Sequence, residues 1–157
     1  MGQRNLEHRL RSDEVDLDQA IHWCRQVAST VAAIESAGYR WRDCKPRNFV
    51  LSDLGELRPV DFEGAIARDS NDLETWGTAG YTPRRATDYR FQDSLALLRS
   101  VVQILSEEPS TSFGSPSKVR MRTDLPQSIR RTVRLLDWRA PPSEVASQLD
   151  DALGESN

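Results

Sequence analysis

The stretch Trp41-Arg42-Asp43-Cys44-Lys45-Pro46-Arg47-Asn48 constrains this chain most. It sets an Asp, a Lys two residues on and an Asn five residues on between an amphipathic run and an apolar one. Thirteen residues past Asn48 stands Asp61, within Val60-Asp61-Phe62-Glu63-Gly64, and sixteen past Asp61 begins Gly77-Thr78-Ala79-Gly80-Tyr81. Such residue types suit phosphoryl transfer. That chemistry needs a carboxylate to take the substrate hydroxyl's proton, a cation against the transferred phosphate, and oxygen ligands for Mg²⁺. An Asp in a loop is usually a turn or cap residue. With Lys45, Asn48 and Asp61 beside it, Asp43 reads as catalytic.

In order and spacing the three segments resemble the C-terminal lobe of a protein kinase of the Ser/Thr branch. WRDCKPRN stands where that family has H-R-D-L-K-x-x-N, VDFEG where it has D-F-G, and GTAGYTPRR where it has G-T-x-x-Y followed by A-P-E. The resemblance implies Asp43 as base, Lys45 as phosphate cation, and Asn48 and Asp61 as Mg²⁺ ligands. It implies that Thr78 hydrogen-bonds both Asp43 and Lys45, and that the cofactors are ATP and Mg²⁺, with Lys45, Asn48 and Asp61 meeting the nucleotide. Arg42 resembles the arginine that clamps a phosphorylated residue of the activation segment. The usual phosphorylated position falls on Glu74, whose fixed negative charge is expected to pair with Arg42; the alternative is a solvated Glu74 with Thr75 as the phosphosite. The family's Ala-Pro-Glu is here Thr82-Pro83-Arg84, and Arg139 is expected to be left unpaired by loss of that Glu.

The remaining sequence builds a frame around these residues. Ala20, Cys24, Val27, Val31 and Ile34 recur at helical spacing from a start near Asp16, with Asp13 or Asp16 as cap and Gly38 as stop. Residues 49–52 and 57–60 predict two short strands around a turn, holding Asn48 and Asp61 at the hairpin's ends. Phe91, Leu95, Leu98, Val102 and Leu105, joined by Leu97, Val101 and Ile104, predict a helix apolar nearly all round and therefore central. Asp93 at its start either braces the catalytic-loop backbone, as the resemblance implies, or caps the helix. Residues 107–125 read as a loop prone to disorder, Ile129, Val133 and Leu136 mark a helix from about Pro126, and Pro141-Pro142-Ser143-Glu144 starts a last one.

The predicted fold is mainly α with a small β-hairpin: a kinase-like C-lobe over 16–152, a polar, poorly packed lead-in over 1–15, and a tail over 153–157. The N-terminal lobe is expected to be absent. No lysine precedes Lys45, and only Gly2 and Gly38 precede Gly55, so neither the strand lysine nor the Gly-rich loop has a candidate. Apolar groups around Phe49, Leu51 and Phe62 should then be uncovered and favour self-association or a partner.

Net charge is −3 and charged residues are 29%, which advertises neither a nucleic-acid nor a membrane partner. Cys24 and Cys44 form no ligand pair, His8 and His22 are isolated, and no apolar run resembles a signal peptide or a span. A cytoplasmic, or otherwise intracellular and nuclear, setting follows as the default. Two function classes stay open. One is an enzyme phosphorylating Ser/Thr hydroxyls once a chain bearing the upper lobe is supplied; the other is a non-catalytic kinase-like module that binds a protein partner. A small-molecule phosphotransferase fits less well, since such enzymes usually lack an Arg before the Asp and a G-T-x-x-Y segment. For the chain by itself, Mg-ATP affinity no tighter than about millimolar is expected.

Overall fold

The computed structural model describes residues 4–72, 74–109 and 118–154. Two helices form its centre. α2 (Leu17–Ser36) starts at Asp16, whose carboxylate accepts from Gln19 N at 2.8 Å, and ends before Gly38, whose φ of +90° turns the chain out of the helix. It buries Ala20, Cys24, Val27 and Val31, while Ile34 is only partly covered; Trp23, outside the expected set, is buried too. α3 (Gln92–Ile104) is buried at every position except Arg99, so it runs through the core rather than along a surface. α5 (Pro142–Gly154) packs on both. α4 (Gln127–Leu135) closes one side through Ile129 and Val133.

Two small sheets carry the polar loops. β1 (Tyr39–Arg40) pairs antiparallel with β4 (Ile66–Ala67), and β2 (Phe49–Leu51) with β3 (Leu57–Pro59). The β2–β3 register sets Phe49 opposite Pro59, and Val60 N donates to Asn48 O at 2.9 Å, which brings the chain beside Asp61 back to Asn48. Side chains of α2 fix the hairpin: Trp23 Nε1 donates to Gly55 O at 3.2 Å, and Gln26 Oε1 accepts from Leu57 N at 3.0 Å while its Nε2 donates to Glu56.

Three expectations about the frame need correction. Residues 4–15 are not a loose lead-in: α1 (Leu6–Ser12) is capped by Asn5, buries Leu6 and Leu10, and docks on the hairpin, where Leu51 N donates to Arg4 O. Leu6 is fully buried, and its apolar side chain outweighs the polar composition around it. The 107–125 loop is packed at both flanks, with Ser106 bridged to Met121 and with Val119, Met121 and Leu125 buried; its centre, 110–117, lies outside the described residues. Leu153 is buried within α5, so the fold continues past 152, and 155–157 lie outside the described residues. No helix among the described residues is long and apolar enough to cross a membrane.

Candidate functional site

Between β1 and β2 the chain makes a tight polar loop, and Asp93 of α3 holds it. The Asp93 carboxylate accepts from Trp41 N at 2.7 Å and from Arg42 N at 2.8 Å. It caps nothing: the helix N-cap is Phe91, and Asp93 is spent on the loop. Burial pushes its carboxyl above the usual carboxylate range, while the Arg42 and Trp41 amides oppose that shift. Trp41 is fully buried, and its Nε1 donates to Asp61 O at 2.9 Å, tying the loop to the segment after β3. Arg42 and Asp61 both have left-handed backbones, at φ +68° and +64°. Such angles are strained for residues other than glycine and persist only where neighbours impose them.

Asp43, Lys45, Asn48 and Thr78 meet in one network. Lys45 Nζ lies 3.0 Å from Asp43 Oδ1 and 3.1 Å from Oδ2, and donates to Thr78 Oγ1 at 2.5 Å. Thr78 Oγ1 donates to Asp43 Oδ1 at 3.0 Å, and Asn48 Nδ2 to Asp43 Oδ2 at 2.8 Å and to the Asp43 carbonyl at 2.9 Å. Thr78 lies 35 residues from Asp43 in sequence, so the segment after β4 has folded back onto the loop. The network is mostly covered, with the Asp43 and Lys45 side chains 12% and 16% exposed. Asp61 stands at the far end of the hairpin from its turn, next to Asn48, and is exposed. A hard divalent cation takes oxygen ligands, and Asn48 and Asp61 offer an amide and a carboxylate oxygen suited to Mg²⁺ that keeps waters and phosphates as its other ligands. They are too few to hold an ion alone, and no cluster of three or more His, Cys, Asp or Glu fit for a metal occurs among the described residues.

Arg42 does not pair with Glu74. Its Nε donates to Gly64 O at 2.6 Å, its Nη1 reaches the Glu74 carbonyl at 3.4 Å, and the carboxylate near it is that of Asp72, at 3.9 Å. Asp72 holds the turn in the same stroke, accepting from Glu74 N at 2.8 Å, and the Glu74 side chain is left exposed. Thr75 is exposed, with its hydroxyl 3.0 Å from that of Tyr89. Arg139 is not unpaired either: Nη2 lies 3.4 Å from Asp88, and its guanidinium stacks over Trp138. Phe49 is wholly buried and Leu51 half so; Phe62 is the one of the three left exposed, and it stacks on Trp41.

Sequence reading missed Gln92. Buried at the start of α3, its Nε2 donates to Trp76 O at 2.6 Å and to Arg42 O at 3.0 Å, joining the Asp43 loop to the Thr78 segment. Gly77 (φ +118°) passes so close that a Cβ there would lie 2.6 Å from Arg42 O and 2.7 Å from Gln92 Nε2. Only glycine fits. Gly64 is bound as tightly, since its Cβ would overlap the Trp76 indole. Cys44, between Asp43 and Lys45, turns inward with Sγ 3.8 Å from Ser100 Oγ, and burial raises its thiol pKa, so it acts as packing.

No protein-family model matches the chain. Among curated proteins it is similar to CBL-interacting protein kinase 29 of Oryza sativa subsp. japonica, 40% identical over 65 residues, which are 41% of this chain and 15% of that protein. Aurora kinase A-A of Xenopus laevis is 27% identical over 157 residues, covering 98% of this chain and 36% of that protein. The chain thus spans well under half the length of these relatives. Among solved structures, the ROP18 kinase domain in complex with AMP-PNP and sucrose superposes with a TM-score of 0.70 at 20% identity, over 99% of this chain and 51% of that one. The fold is therefore that of part of a kinase domain, mainly α with a small hairpin, and the chain is a protein-kinase-like domain.

Proposed function

We propose that the chain carries the catalytic-loop half of an ATP-dependent phosphotransferase acting on Ser/Thr hydroxyls of a protein substrate, working with an upper lobe supplied in the same or a second chain. One observation carries this reading: Asp43, Lys45, Asn48 and Thr78 form a single hydrogen-bonded unit beside Asp61. The curated relatives are named as kinases, and the solved domain that shares the fold was captured with AMP-PNP, which favours ATP with Mg²⁺ as the cofactors.

In this reading Asp43 orients the substrate hydroxyl and accepts its proton, while Thr78 holds the carboxylate in place. Asn48 and Asp61 hold Mg²⁺, which neutralises phosphate charge when bound. Lys45 is the mobile member. An ionised carboxylate has about four lone-pair positions, and Lys45 takes one contact on each Asp43 oxygen while Thr78 and Asn48 take the others. Turning the ammonium toward a phosphate frees two positions on Asp43 for the hydroxyl.

The same saturation of Asp43 favours a second reading, a kinase-like binding module without turnover, if Lys45 stays on the carboxylate. Calorimetric titration with ATP, with and without Mg²⁺, separates the two. The catalytic reading expects Mg²⁺-dependent binding, near millimolar for this chain since an adenine site between two lobes loses two or three contacts of ~1.5 kcal/mol each, and its loss in Asp61→Asn. Nucleotide binding indifferent to Mg²⁺ and to Asp61 would leave the module.

A further inference from the structure

Two neighbouring residues at the start of α3 grip the backbone of Arg42 from both ends. Asp93 accepts from the Arg42 N–H at 2.8 Å, and Gln92 Nε2 donates to the Arg42 carbonyl at 3.0 Å. Between the two bonds the arginine is fixed at φ +68°, an angle it does not take unaided. Asp93 spends its other oxygen on Trp41 N, within the same loop. Gln92 reaches further and gives its second N–H to Trp76 O at 2.6 Å. Asp43 follows Arg42 directly, and Thr78 stands two residues past Trp76. One amide therefore fixes the chain on either side of the bond from Thr78 Oγ1 to Asp43 Oδ1.

The joint has no slack. Gln92 is 3% exposed, and both N–H groups of its amide are used. Gly77 threads past the amide where a side chain would strike Arg42 O, Gln92 Nε2 and, at 2.8 Å, Thr82 Oγ1. Thr82 Oγ1 lies 3.4 Å from Gln92 Nε2 and donates to Thr78 O at 3.2 Å, which folds the chain around Thr78 back over the same point. The bonds nearest before it are weaker: Arg42 Nη1 meets Glu74 O at 3.4 Å, and the Thr75–Tyr89 hydroxyl pair is exposed to water.

We infer that Gln92 is a positioning residue of the site: acting through the backbones of Arg42 and Trp76, it sets where Thr78 meets Asp43 and Lys45. The inference rests on the phosphotransfer reading, in which Thr78 holds the Asp43 carboxylate while Lys45 turns to a phosphate. It adds that this hold is imposed from α3, by a side chain beneath the loop, rather than by Thr78 alone. A buried amide suits the task, because water competes poorly for its two acceptors and each bond fixes a direction as well as a distance. Without it the Thr78 segment opens locally, and Lys45 loses its hydroxyl partner while the rest of the fold stands.

The chain's two lysines supply the readout. Lys45 is 16% exposed and tied to Asp43 and Thr78, whereas Lys118 is exposed. The full chain is acylated with a limiting amine-reactive ester in the absence of denaturant, and the ratio of Lys45 to Lys118 labelling is measured by mass spectrometry. Gln92→Met keeps the side-chain length and removes both N–H groups. It should raise the ratio about fivefold or more, the change in open population that one lost hydrogen bond allows, toward the value given by Thr78→Ala. Gln92→Asn keeps the amide one carbon short of both carbonyls; it should raise the ratio too, and it carries the test if Gln92→Met does not fold. Ile129→Ala truncates the core in α4, lowers the urea midpoint and should leave the ratio within ~twofold of the parent. The labelling uses no nucleotide, so it reads the same whether or not the site transfers phosphate. A ratio unchanged in the Gln92 variants, or raised as much in Ile129→Ala, would overturn the inference and leave Gln92 a packing residue.

Discussion

Arg42 is held by Asp72, with Nη1 3.9 Å from its carboxylate, and takes from Glu74 only a backbone carbonyl at 3.4 Å. The arginine is 8% exposed and Asp72 37%, so the pair sits where the segment after β4 first touches the Asp43 loop. Asp72→Asn should loosen that segment, raising its proteolysis and hydrogen-exchange rates, at a cost of about 1 kcal/mol or less because Asp72 meets solvent. Glu74→Gln should change neither rate. Equal effects of the two substitutions would return the role to Glu74.

Gln92 joins two loops through one buried amide, so its loss strands acceptors rather than trimming a surface. Gln92→Leu leaves the Arg42 and Trp76 carbonyls without that donor and should cost about 2–3 kcal/mol, read as a lower urea midpoint at unchanged slope. Gln92→Glu supplies no donor and should be as damaging. A midpoint within error of the parent would show that water or another side chain replaces the amide.

The N-terminal helix should behave as core. Leu6 is fully buried against the hairpin. Leu6→Ala should cost roughly 2–4 kcal/mol, whereas Glu7→Ala on the half-covered neighbour should cost ~0.5 kcal/mol or less. Similar midpoints for the two would mean that α1 adds little to the fold.

The sequence made the skeleton readable because its strongest signals are local. Asp16 capping, the Ala20–Val31 stripe and the all-round apolar run of α3 each decide their own element, and the structure follows them. The Asp43, Asn48 and Asp61 spacing is also local, since one hairpin connects its ends. What escaped was set by partners far along the chain. Gln92 is an ordinary polar residue until Arg42, 50 positions away, turns its carbonyl toward it. Counting along the segment points to Glu74, but a turn in which Asp72 accepts from Glu74 N sets the Asp72 carboxylate toward Arg42 and leaves the Glu74 side chain outside. Leu6 and Leu10 are too few, amid charges, to announce a buried face, and their burial depends on the hairpin that Asn5 bridges at Val50.

The central claim is that Asp43, Lys45, Asn48, Thr78 and Asp61 form a working phosphotransfer site. The most direct measurement is transfer of radiolabelled γ-phosphate to a Ser/Thr peptide pool, by the chain alone and with a matching kinase upper lobe added in trans. The account predicts no measurable transfer by the chain alone, clear transfer with the added lobe, and its loss by a factor of roughly 10²–10⁴ or more in Asp43→Asn and likewise in Asp61→Asn. Transfer that survives Asp43→Asn, or a mixture that binds Mg-ATP and transfers nothing, would contradict it.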